Sequence, residues 1–506
     1  MTSAAEVVSA RVGHHRQSGL VAATIAWCAA VLFWVLVSDT APLSDEAQVI
    51  FIAAALTTIG MIGAGSMSRE LGVRTALARL KLGPWMAVGF ALSFGLATLV
   101  WLGGNILGYR GLVTKSTLGP AAVVAGMGFV ALVVSYRSTA RLLIVGGSKV
   151  DNGLRGRRSF ATGAVGVWSL WGVAAAAQAV DIATGNLGYL SDPTAQLSTS
   201  TSLNAVVTAV TQLGLLSTLV AAWRLAAHRG PGAAMLLAWI AGSQVALGLF
   251  SGGKEPVILQ FVALVVGYSA RGRLRLVPMV VAGLVALFIV TPFITTYRAA
   301  VLTSSGRLTP TQALGSIDFT ALFTDSAGGT GAGGSSQQAA AARLSRIGDV
   351  AIIVTKTPST VPFVSPLELL SGPVLGFVPR SIWPGKPVLD AGYEANIEYY
   401  GTPPSVHSSA ALTPYGDLYR HGGIIVVICG MALLGMFVRV VDDRGGPDAT
   451  SDPRAAFLPM LLFATLVKQE IDYLALSASI VSIVLAAALG ARIVSRQTAV
   501  NLTTAK

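Results

Sequence analysis

The sequence predicts an all-α polytopic membrane protein with about 12 transmembrane helices and one long extracytoplasmic loop insertion. Three observations predict it. The mean hydropathy is +0.68 with only 11% charged residues, where soluble domains carry roughly 25%. Apolar runs of membrane-crossing length recur along the 506 residues. The positive charges also alternate between the connections, as membrane orientation requires.

A helix needs about 20 apolar residues to cross the hydrocarbon. Such runs fall near 19–38, 48–66, 84–106, 118–136, 161–181, 204–226, 232–250, 255–270, 276–296, 422–440, 455–473 and 475–493. The eighth is short, and the eleventh contains Lys468, Glu470 and Asp472. The first is too long for a removable signal peptide. With the N-terminus inside, 23 of the 35 Lys and Arg residues are cytoplasmic and 12 lie outside, 8 of them in one long loop. Long loops do not enter the positive-inside count, so the orientation is well determined, with both termini cytoplasmic. The acids divide 7 inside and 16 outside, giving an inner face of +16 and an outer face of −4. The basic balance therefore reports orientation, and nucleic acid is not an expected partner. Cys28 and Cys429 lie within spans, where thiols behave as small apolar fillers.

Residues 1–297 hold the first nine spans, 298–421 the extracytoplasmic insertion, and 422–506 the last three spans with a cytoplasmic C-terminus. A connection this long inside a compact protein is usually functional or disordered. Its stretch 324–342, TDSAGGTGAGGSSQQAAAA, reads as a flexible tether. In ARLSRIGDVAIIVTK, Leu344, Ile347, Val350 and Val354 recur at helical spacing and define one apolar face. Ser365, Pro366 and Glu368 form the start signal of a short helix that ends at Ser371-Gly372-Pro373. FVPRSIWPGKP, 377–387, follows at once; Pro379, Pro384 and Pro387 fix φ and remove donors, so a stiff extended wall is expected. In DAGYEANIEYY, Asp390, Glu394 and Glu398 fall four apart on one helical face, although Gly392 weakens such a helix by about 1 kcal/mol.

Several of these residues are suited to chemistry. A rigid wall holds Arg380 in place at little entropic cost, and a guanidinium fork suits phosphate oxygens, with Lys386 as a point charge beside it. The competing reading makes Arg380 and Trp383 an interfacial anchor, since both residue types favour the headgroup level. Lys254 stands in FSGGKEP, 250–256, a tight turn at membrane depth, where an ionisable group is either functional or a snorkelling lysine. Arg298 closes the ninth span. Arg343 and Arg346 are three apart on the loop helix, and Asp349, three further on, makes an ordinary surface ion pair the expected fate of Arg346. Asp390, Glu394, Asp417 and His407 all lie in the insertion, and each is able to take a proton from a sugar hydroxyl. Tyr393, Tyr399, Tyr400, Tyr415 and Tyr419 cluster nearby; flat amphipathic rings suit sugar faces and membrane-facing loops alike. There is no GxxxxGK[ST], HExxH or CxxC, so nucleotide hydrolysis and zinc chemistry have no support, and no cofactor is expected.

Together the parts resemble the Wzy-type O-antigen and oligosaccharide repeat-unit polymerases. The resemblance rests on VPRSIWPGKP (378–387), SGGKEP (251–256) and ALTPYGDLYRHGG (411–423), and it covers about residues 240–440. The tip motif of that family usually carries arginine where this chain has Lys254. The resemblance implies a metal-independent, GT-C-like glycosyltransferase in the bacterial cytoplasmic membrane. Its donor and acceptor would be polyprenyl-diphosphate-linked oligosaccharides, and its protein partners a chain-length regulator or a flippase. Arg380 and Arg298 would then contact the diphosphate, Lys254 and Lys386 support them, Arg343 adds a third clamp, and a carboxylate or His407 activates the acceptor. A ligase that moves finished glycan to another acceptor would share these features. A lipid-linked-oligosaccharide flippase matches the span count but needs charges inside the bundle, and the sequence concentrates them in the insertion.

Overall fold

Backbone surrounded by hydrocarbon must satisfy its own N–H and C=O groups, so apolar runs of this length fold as helices. The computed structural model describes residues 44–69, 81–103, 112–145, 163–184, 202–269, 290, 293–294, 297, 315, 344–378, 382–383, 385–387, 390–404, 409–444 and 452–504. Among them the regular structure is helical throughout. The α-helices are α1 (Asp45–Arg69), α2 (Leu82–Phe90), α3 (Leu118–Val145), α4 (Ala164–Ala183), α5 (Ser202–Thr211), α6 (Leu213–His228), α7 (Pro231–Phe250), α8 (Lys254–Ser269), α9 (Ile347–Lys356), α10 (Ser371–Phe377), α11 (Ala391–Glu398), α12 (Pro414–Arg420), α13 (Gly423–Arg444), α14 (Phe457–Lys468) and α15 (Tyr473–Thr504). Eight segments among the described residues are long and apolar enough to cross a membrane: Asp45–Ser68, Leu82–Gly103, Lys115–Thr139, Ala164–Ala183, Val206–His228, Pro231–Phe250, Gly423–Asp443 and Tyr473–Ser495. The chain is an all-α polytopic membrane protein. The run at 19–38, most of 276–296 and the tether at 324–342 lie outside the described residues.

The run at 455–473 is not one helix. α14 stops at Lys468, Gln469 turns left-handed with φ 53°, and α15 starts at Tyr473. Three charged residues within five positions oppose a continuous apolar helix. The break gives them polar neighbours, and Gln469 Nε2 donates to the Met86 carbonyl at 2.9 Å.

The insertion also differs from its sequence pattern. α9 begins at Ile347, so Leu344 stays exposed at 64% while Ile347 and Val350 are buried. The residues just before it are used to dock: the Arg346 N–H donates to the Ser93 carbonyl at 3.0 Å, and Trp101 Nε1 donates to Ser345 Oγ at 3.3 Å. Ser93 lies in a π-helical turn, Ala91–Gly95, that continues α2. The helix expected to end at 371–373 instead passes from a 3₁₀ turn, Pro366–Leu370, into α10, and Ser365 makes no side-chain cap. Pro373 falls in the first turn of α10, where a missing N–H breaks no helical bond. The described residues of 378–387 are not helical, but they are not simply extended either: Ile382 and Gly385 lie in turns, and the Lys386 N–H donates to the Trp383 carbonyl at 3.1 Å.

α12 enters the bundle. Gly422 and Gly423 have φ of 148° and 71°, a reversal open to glycine that folds α12 back along α13. Its Tyr415 ring stands edge-on to Phe94 at 5.0 Å and near Phe90 at 5.8 Å, and Phe90 stacks on Phe129 of α3 at 4.2 Å. Phe129 is seven residues from Tyr136, about 10 Å along the helix. At that level Tyr136 Oη donates to Asp442 Oδ2 at 2.8 Å. Asp442 also caps α2 from α13, accepting from the Leu82 and Gly83 N–H groups at 2.7 and 3.0 Å, while Lys81 Nζ donates to its main-chain carbonyl. This end of the bundle is tied together by one buried carboxylate.

Candidate functional site

The sequence Asp417-Leu-Tyr-Arg420-His421 puts three polar groups at i, i+3 and i+4, one face at the end of α12. All three are buried: Asp417 and His421 fully, Arg420 to 4% exposure. Asp417 Oδ2 accepts the N–H groups of Tyr473 and Leu474 at 2.9 and 3.3 Å, which caps α15 from another element. Its Oδ1 faces Arg420 Nη2 at 3.3 Å and His421 Nδ1 at 3.5 Å. The imidazole Nδ1 lies 2.8 Å from the Asp417 carbonyl. A carbonyl only accepts, so Nδ1 carries a proton, and in the neutral ring Nε2 then holds the lone pair. Glu368 Oε2 stands 3.9 Å from that Nε2. Among the described residues, Asp417 Oδ1, Arg420 Nε and His421 Nε2 have no hydrogen-bond partner.

Two further carboxyls feel this centre. Asp472, in the break before α15, accepts from the Ala475 N–H at 2.6 Å. Burial, and then the Asp417 charge, push it up to about 6. Glu394 of α11 is exposed, and its carboxyl is raised chiefly by partial desolvation; Arg420 pulls it down, and Glu398, Glu368 and Asp390 add to the rise. The Tyr415 hydroxyl, also buried without a partner among the described residues, is held far above its ordinary range by burial. No group of three or more His, Cys, Asp or Glu side chains among the described residues is placed to hold a metal ion, so none is assigned here.

Of the sequence-predicted residues, Asp417 lies at the heart of this cluster, with Glu394 within its electrostatic reach. Asp390 caps α11, accepting from the Tyr393 N–H at 3.2 Å. Trp383 is exposed, and Lys386 Nζ donates to the Val378 carbonyl at 3.2 Å. Lys254 is half-buried at the start of α8, and its neighbour Glu255 pairs with Lys468 at 2.9 Å. Arg298, Arg343, Arg380 and His407 lie outside the described residues.

Arg346 departs from the expected surface pair. It does meet Asp349 at 3.3 Å, but both are largely buried, and the guanidinium also pairs with Glu470. Glu470 in turn binds Lys468, and Tyr400 Oη donates to Asp349 at 3.0 Å. This run of charges links the 250–256 tip to α9. Charges assigned to the insertion thus stand inside the bundle, because α9 and α12 pack there.

Glu368, Arg420, His421 and Asp472 were missed as site residues. Two signals marked them: the i, i+3, i+4 spacing within ALTPYGDLYRHGG, and the three charges that break an otherwise apolar run at 468–472.

A family described as "Domain of unknown function (DUF8712)" matches residues 190–445, just over half of the chain, and its span includes α9 to α12. No curated protein and no solved structure matches.

Proposed function

We propose that this protein, which belongs to the DUF8712 family, is a metal-independent glycosyltransferase of the outer face of a bacterial cytoplasmic membrane. Its reaction is the polymerisation of lipid-diphosphate-linked oligosaccharide repeat units. The supporting observation is the water-shielded Asp417–Arg420–His421 centre, whose imidazole offers an unpaired Nε2. Transfer to a sugar hydroxyl needs a fixed proton acceptor in a place where water does not compete for the donor. In this reading the acceptor hydroxyl gives its proton to His421 Nε2, and its oxygen bonds to the anomeric carbon. The anomeric C–O bond breaks, and the lipid diphosphate leaves with the electron pair. Asp417 orients the ring, and Glu368 balances the imidazolium that forms.

The acid excess around His421 suits the acceptor side of the reaction. The departing diphosphate needs cations that act more strongly in the transition state. Arg298, Arg343 and Arg380 are assigned that part, with Lys254 and Lys386 supporting and Trp383 at the substrate. Charges inside the bundle also suit a flippase, so the experiment must separate the two. The protein is reconstituted in liposomes with a lipid-diphosphate-linked oligosaccharide, and products are resolved on gels. A ladder of repeat multiples supports polymerase activity. A single block on a foreign acceptor makes the protein a ligase, and unaltered substrate on the opposite leaflet overturns the enzymatic reading.

A further inference from the structure

Residues 366–377 carry two opposed stripes. Leu369, Gly372, Leu375 and Gly376 form the inner one, against the first turns of α15. A Cβ at Gly372 would overlap Ser477 Oγ, and one at Gly376 would overlap the Ala478 carbonyl. The two glycines, four apart, let the backbones meet as small-residue pairs do between membrane helices. The outer stripe is Leu367, Leu370, Val374 and Phe377, at i, i+3, i+7 and i+10, with exposures of 72, 70, 53 and 70%. Ile382, at 74%, and Trp383 are exposed as well. Soluble surfaces rarely carry such contiguous apolar area.

What covers this stripe follows from its neighbour. α15 contains Tyr473–Ser495, one of the membrane-long apolar segments. Its exposed Val484, Leu485 and Leu489 belong to a surface that only hydrocarbon can solvate. α10 lies along the first turns of that same span. The outer stripe is uncharged, whereas Glu368 lies off it, near His421. Trp383 and Lys386 follow directly, and such residues favour the headgroup boundary. We propose that residues 366–377 form a helix seated in the bilayer, with Leu367, Leu370, Val374 and Phe377 immersed in lipid hydrocarbon and Trp383 at the interface. The segment is then a wall one helix thick between the lipid and His421. This inference stands whether or not the glycosyl-transfer reading does.

The test uses full-length protein with Cys28 and Cys429 replaced by alanine. A fluorophore is attached at Leu370→Cys, at Phe377→Cys or, as a water-exposed control on α11, at Glu398→Cys. Each variant is reconstituted in phosphatidylethanolamine/phosphatidylglycerol vesicles. The expected result at 370 and 377 is quenching by a spin label on the lipid chain that exceeds quenching by aqueous iodide by about threefold or more; position 398 should show the reverse. Iodide quenching at 370 and 377 equal to that at 398 would overturn the proposal. Protection from both quenchers would also overturn it, because another protein surface would then cover the stripe. Val374→Cys repeats the measurement if either variant fails to accumulate.

Discussion

Asp442 and Asp417 each hold a buried carboxylate against the N-terminus of a helix from a distant part of the chain, yet their surroundings differ. Both oxygens of Asp442 accept hydrogen bonds, from Leu82, Gly83 and Tyr136. Asp417 accepts hydrogen bonds only at Oδ2, from Tyr473 and Leu474, while Oδ1 faces Arg420 Nη2 at 3.3 Å as an ion pair. Its other oxygen, Arg420 Nε and His421 Nε2 have no hydrogen-bond partner among the described residues. A buried polar atom without a partner costs about 1–3 kcal/mol. A saturated carboxylate is a structural tie, whereas an unsaturated cluster keeps its bonding capacity for something else. That contrast is why the centre at α12 is read as a site and the one at Asp442 as a tie.

The largest effect is expected at the tie. Asp442→Ala orphans two N–H groups and the Tyr136 hydroxyl, and should cost about 3–5 kcal/mol, the range for breaking a buried charged network. Monodisperse folded protein recovered by gel filtration in detergent reports it. Full recovery and an unchanged Tm would remove the contrast.

At the site the signature should be reversed. His421→Gln should lower glycan transfer about a hundredfold or more, the range of a lost general base, while leaving the amount of folded protein near wild type. Equal loss of fold and activity would make His421 structural, like Asp442.

A third prediction concerns pH. Asp472 is raised to about 6, above an unfolded value near 4, so the folded protein disfavours its ionised form. The stability this protonation brings is complete below about pH 4, is lost as pH rises through about 6, and is absent above that. Asp472→Asn should match wild type below pH 4 and exceed it above pH 6 by up to about 3 kcal/mol. Denaturation at the two pH values checks this, and identical pH dependence would refute it. The smallest effect is at Tyr415→Phe. Removing a buried hydroxyl that has no partner among the described residues should raise stability by about 1 kcal/mol. A loss of stability would show that the hydroxyl is satisfied after all.

The membrane helices were legible because one physical requirement, satisfied backbone in hydrocarbon, writes itself as apolar length. The run at 455–473 misled for the same reason: hydropathy averages over Lys468, Glu470 and Asp472 and does not register that they end one helix and begin another. Asp417 and Glu394 could be chosen from the insertion by residue type alone. Arg420 and His421 could not be ranked, because their importance comes from burial, and burial depends on the reversal at Gly422-Gly423 that carries α12 into the bundle. Glu368 meets His421 across more than fifty residues of chain, a closeness that no local pattern encodes. The exposed stripe of 366–377 is hidden in the sequence because Ser371-Gly372-Pro373 reads as a helix stop, whereas Gly372 packs closely against Ser477 inside the segment.

The decisive measurement compares equal amounts of folded wild-type and His421→Gln protein, reconstituted with the same lipid-diphosphate-linked oligosaccharide. Product length and initial rate are followed together. A ladder from the wild type and none from the variant is expected if the unpaired Nε2 receives the acceptor proton. A variant ladder of wild-type length, formed at the wild-type rate, would contradict that role and leave the buried centre a second structural tie.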